Sequence, residues 1–78
     1  MNTARPRSSE VAQWIEQHLA ECPRAADTAA GIQRWWIVPR HGEVVLEVVQ
    51  EALRQLEVEG VVSSHRLGSR VIFRRGEH

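Results

Sequence analysis

Lysine and tyrosine are missing from this chain of 78 residues, and it has one cysteine and one phenylalanine. Cys22 has no partner in the sequence, so an internal disulfide is excluded as a source of stability. No stretch approaches the roughly 18 consecutive apolar residues that a membrane-spanning helix needs. The first ten residues hold no apolar run of the kind a signal peptide requires, so the cytoplasm is the expected location. Ten arginines balance ten Asp and Glu, so no overall field draws the chain to nucleic acid or to a membrane surface. Binding of that kind must come from a local patch. The length leaves room for one small domain. A domain of this size buries only about 60% of its unfolded surface, and its core supplies roughly 3–5 kcal/mol, which makes oligomerisation a natural supplement.

Catalytic and metal-binding patterns are also lacking. His18, His41, His65 and Cys22 are scattered, with no pair at the close spacing of a structural zinc site. His18 reads as a boundary residue beside an apolar stripe. There is no phosphate-cradling glycine loop and no recognisable arrangement of nucleophile and base. No enzyme activity, metal or cofactor is expected.

What remains is local periodicity. Residues 1 to 7 hold Arg5, Pro6 and Arg7 but no periodic apolar residue, and read as a disordered arm of charge +2. Residues 76 to 78 read as a disordered C-terminus, leaving a domain over 8–75. Ser8 or Ser9 can cap a first helix over about residues 9 to 21, with Val11, Ile15, Leu19 and Cys22 on its apolar stripe and Pro23 ending it. Asp27 suits the N-cap of a second helix, Thr28 to Trp36. Ile37 and Val38 are expected to leave helical geometry ahead of Pro39. After a turn at Gly42, residues 43 to 59 contain neither Gly nor Pro and predict a third helix, stopped by Gly60. Val61–Arg66 and Arg70–Arg74 flank Leu67-Gly68-Ser69 and predict a two-stranded β-hairpin whose apolar face lies on the helices.

Three helices followed by a hairpin, together with Val49-x-x-Ala52-Leu53-x-x-Leu56-x-x-x-Gly60-Val61-Val62 and the basic return strand Arg-Val-Ile-Phe-Arg, resemble the winged helix-turn-helix family of small bacterial regulators. The resemblance covers about residues 9 to 75. It implies an α+β fold of three helices and a two-stranded β-hairpin wing. It also implies binding of double-stranded DNA in transcription regulation, with the third helix in the major groove and the wing on the backbone or minor groove.

The residues qualify that implication. On a helical wheel the apolar side chains from Val44 to Leu56 span roughly 200°, wider than one core contact needs. The opposite arc holds Glu43, Glu47, Gln50, Glu51, Arg54 and Glu57. Four of these six are acidic and would repel phosphate, which leaves Gln50 and Arg54 as the candidate base readers. The bland alternative is a solvated acidic face. By segment, residues 42–60 carry −4 and residues 61–75 carry +4, from Arg66, Arg70, Arg74 and Arg75. With His65, these arginines could clamp phosphates, or they could keep an exposed edge strand from pairing with another. Trp35 and Trp36 cannot both face one small core, so one of them is expected to be half exposed. A homodimer surface from Val44, Val48 and either Trp35 or Trp36 follows. The rival to DNA binding is a protein–protein adaptor of the same fold that uses the acidic helix or the exposed tryptophan.

Overall fold

A computed structural model describes residues 6–76. The expected disordered segments, 1–7 and 76–78, lie mostly outside the described residues. Helix α1 spans Ser8–Glu21. Its N-cap is Arg7, upstream of the two serines expected there, and the Glu10 carboxylate three residues on accepts the Arg7 backbone N–H at 2.9 Å. A carboxylate in the first turn also suits the positive end of the helix. Val11, Ile15 and Leu19 are buried as the periodicity predicts, and Ala12 joins them. Cys22 does not: it is the C-cap, and its side chain is exposed.

Ala26–Asp27 forms a short strand, β1. The second helical run, α2, covers residues 29–41 in three pieces: an α-turn Ala29–Gly31, a π-helical stretch Ile32–Ile37 and an α-turn Val38–His41. Thr28 is the N-cap, with its hydroxyl oxygen accepting the Gly31 N–H at 3.0 Å. Asp27, expected in that role, instead accepts the Thr28 N–H at 2.8 Å.

The expected break before Pro39 does not occur. A proline inside an α-helix clashes with the carbonyl four residues back and supplies no N–H. In the wider π-turn the Val38 N–H reaches the Gln33 carbonyl, five residues back, and Pro39 then falls in the first turn of a new α-piece. No donor is needed there, so the run continues to His41. π-Helical stretches are rare and usually mark a site under constraint. Here the constraint is aromatic. Trp14 stacks on His41, with ring centroids 3.9 Å apart and planes within 3°, and His18 stacks on Trp36 at 4.3 Å and 17°. Trp14 and His18 are four residues apart on α1, while Trp36 and His41 are five apart on α2. The extra residue of the π-stretch keeps His41 on the side of α2 that faces α1.

Gly42 turns the chain at φ 85°. Helix α3 then spans Leu46–Val58, three residues shorter at its start than the sequence predicts. Glu43, Val44 and Val45 are excluded because Val44 is held in place from outside the helix. Its side chain is in the core, and its carbonyl accepts a hydrogen bond from Gln33 Nε2 at 2.5 Å. The fully buried residues of the helix are Val49, Ala52, Leu53 and Leu56, with Leu46 and Val48 packed partly buried beside them. Glu59 caps the C-terminus, and Gly60 follows at φ 79°. The Gly60 N–H bonds to Glu57 O at 3.1 Å and the Val61 N–H to Leu56 O at 2.9 Å, the paired bonds of a Schellman stop. Gly60→Ala should therefore cost about 1–2 kcal/mol, the penalty for a Cβ in left-handed geometry. Thermal unfolding checks it, with a fall in Tm expected and an unchanged Tm refuting the motif.

Strands β2 (Val62–Leu67) and β3 (Arg70–Arg75) form the predicted hairpin, closed by a two-residue turn with Gly68 at φ 65°. The sheet has three strands, not two. β1 pairs antiparallel with β3 through Ala26–Arg74 and Asp27–Phe73, giving the order β1-β3-β2. The fold is thus α+β, with three helical bodies and one antiparallel sheet. One core joins Val11, Ile15 and Leu19 of α1 to Ile32, Trp36 and Ile37 of α2, to the buried face of α3 and to Val62. Among the described residues, no helix is long and apolar enough to cross a membrane.

Candidate nucleic-acid interface

The register of the hairpin sorts its side chains onto two faces, because directly paired residues in antiparallel strands point the same way. Val62 with Arg75, Ser64 with Phe73 and Arg66 with Val71 share one face. Val62 is buried and Phe73 packs against the core, so this face looks toward the helices. Ser63 with Arg74, His65 with Ile72 and Leu67 with Arg70 share the outer face. The four hairpin arginines are therefore split, two to a side. Arg66 and Arg70 sit near the tip, and Arg74 and Arg75 sit at the base.

A groove runs between α3 and the inner face of the hairpin. Gln50, Arg54 and Glu57 form one wall, and Ser64, Val71 and Phe73 the other. Both candidate base readers thus stand on the groove, one turn apart. Arg54 is exposed and its Nη2 bonds to Glu51 Oε1 at 2.5 Å. Exposed pairs of this kind are worth only about 0.2–1 kcal/mol, so a phosphate or a base edge can compete for the guanidinium. Glu57 accepts a hydrogen bond from the Ser64 hydroxyl at 2.7 Å, which ties α3 to β2 across the groove. Ser64 and Phe73 were not among the sequence candidates. Strand alternation would have placed them on one face, but nothing local placed α3 opposite.

The acidic face is weaker than the wheel suggested. With Glu43 outside the helix, α3 carries Glu47, Glu51 and Glu57 against Arg54. His65 is turned away from the groove. Its Nε2 accepts from Arg74 Nε–H at 3.1 Å and lies 3.2 Å from the Ser63 hydroxyl, so His65, Arg74 and Ser63 form a small network on the outer face. Arg75 leaves the inner face, but at the base of the hairpin, where it borders a different groove beside α1.

The expected dimer surface needs correction. Val44 is 4% exposed and Trp36 9%, so both belong to the core and are not available to a second copy. Val48 is half-buried and packs against the same core. Trp35 alone of the four is open, at 65%. The reason is the winding of α2, which turns Trp36 inward onto His18 and leaves its neighbour outward. His18 is more than a boundary residue, since its ring supports Trp36. The signal for the two stacks was the spacing of Trp14 and His18, but their partners required the π-stretch. Among the described residues, no group of three or more His, Cys, Asp or Glu side chains could hold a metal ion.

Comparison of the chain with protein-family models, with curated proteins and with solved structures finds no match in any of the three.

Proposed function

We propose that this chain binds double-stranded DNA as a small winged helix-turn-helix domain, in the manner of a transcriptional regulator. The observation that carries the reading is the groove that sets Gln50 and Arg54 of α3 opposite the hairpin. The element order supports it: a helix, a short strand, two further helices and a hairpin, with β3 central in the sheet. In this reading α3 enters the major groove with Gln50 and Arg54 nearest the bases. Gln suits adenine, and Arg suits guanine. Arg66 and Arg70, near the hairpin tip, grip phosphates on either side of it. Arg74, Arg75 and His65 are left with no part in this contact.

Titration of a short random-sequence duplex against salt tests the proposal. Affinity should fall steeply as salt rises, and the slope of log K against log salt should shrink by about 0.9 for each of Arg66→Ala and Arg70→Ala. Arg74→Ala should leave the slope unchanged. Absence of binding at low salt overturns the proposal. It would favour the second reading, a protein–protein adaptor, whose supporting observation is the exposed indole of Trp35.

A further inference from the structure

At the base of the hairpin a second groove lies between α1 and the sheet. Ala20 and Pro23 on one side and Val61 on the other give it an apolar strip. Arg24, Arg74 and Arg75 border it, opposed among the described residues by the carboxylate of Glu16. Among the described residues the side-chain ion pairs are Arg40–Glu21 and Arg54–Glu51, which leaves Arg24 and Arg75 without a carboxylate partner there, while Arg74 donates to His65 on the outer face. All three are exposed. They come from distant parts of the chain, Arg24 from the turn after α1 and the other two from the end of β3. β1 brings them together by laying Ala26 against Arg74.

The walls are also held firmly. The Gly76 N–H bonds to Val61 O at 2.8 Å, next to the Schellman stop of α3. A Cβ on Gly76 would come within 2.3 Å of the Gly60 carbonyl oxygen, so only glycine lets the two backbones approach this closely. A preformed groove loses little conformational entropy when a ligand enters it.

We propose that this groove binds an acidic segment of a partner protein, an extended peptide carrying carboxylates beside at least one aliphatic side chain. Guanidinium groups pair with carboxylates through two parallel hydrogen bonds, and Arg24 and Arg75, with no ion-pair partner among the described residues, outnumber the glutamate that borders the groove. The aliphatic side chain covers the strip of Ala20, Pro23 and Val61. A nucleic-acid backbone suits the groove less well, because it offers nothing for that strip. The site shares no residue with the groove between α3 and the hairpin tip and does not rest on the DNA reading.

The probe is a blocked peptide of alternating Glu and Leu, titrated into the labelled full chain and followed by amide chemical shifts. Shifts are expected at Arg24, Val61, Arg75 and Gly76, with Gln50 and Arg54 unmoved. The double variant Arg24→Glu/Arg75→Glu should weaken binding by at least about tenfold, and the same peptide with Gln for Glu should lose affinity comparably. Both substitutions are on exposed side chains, and Arg24→Gln/Arg75→Gln, expected to weaken binding in the same direction, guards against a folding defect. Equal affinity of the Gln peptide, indifference to both double variants, or peptide shifts confined to α3 and the hairpin tip would each overturn the proposal. So would duplex DNA shifting Arg24 and Arg75 in place of the tip residues.

Discussion

Trp36→Ala is expected to lower the unfolding free energy by about 3–5 kcal/mol, whereas Trp35→Ala, one residue earlier, should change it by no more than about 0.5 kcal/mol. Trp36 fills the space between α1 and α2, stacked on His18 and in the same core as Ile15, Leu19, Ile32 and Ile37. Truncation leaves a cavity that these side chains cannot close, and it strips one face of the His18 ring. The second stack, Trp14 on His41, bridges the same two helices, so its geometry should loosen as well. Trp35 is 65% exposed and loses little on truncation. Urea unfolding should give a near-native transition for Trp35→Ala and a largely lost one for Trp36→Ala, and matching transitions would refute this winding of α2.

Leu53→Ala should be comparably severe, at about 2–5 kcal/mol. Leu53 is 1% exposed on the inner face of α3, among the residues that join all three helices. A domain this small has only about 3–5 kcal/mol to lose, so much of the variant should be unfolded at room temperature, with its helical circular dichroism diminished. The contrast is Arg54→Ala. Its side chain points into the groove, so the variant should remain folded, with stability changed by no more than about 0.5 kcal/mol, and should bind duplex DNA less well. A folded Leu53→Ala variant with native stability would show that α3 does not bury this face.

How much of this was legible depends on distance along the chain. The stripe of α1, the Gly42 turn, the Gly60 stop and the hairpin rest on neighbouring residues, and each stands close to where periodicity and glycine placed it. The misreadings arose where a distant group overrode a local preference. Gln33 holds the Val44 carbonyl and starts α3 late, and two aromatic stacks carry α2 past a proline. β1 is two residues long and has no periodicity to detect; it exists because β3 offers a free edge. Of the candidate site, Gln50 and Arg54 lie on the polar arc of the wheel, while Val44, expected at a dimer surface, is in the core, and the sequence leaves the choice between Trp35 and Trp36 open, since burial depends on what lies across the core.

The sequence by itself determined three helices, the hairpin after them and the separation of acidic from basic segments, because these follow from backbone preferences and side-chain periods a few residues long. It could not determine which tryptophan is buried, that a third strand pairs with the hairpin, or that Arg24 meets Arg75 beside one groove. Those arrangements pair residues tens of positions apart, and only the docking of α1, α3 and the three strands around a shared core brings them within reach of one another.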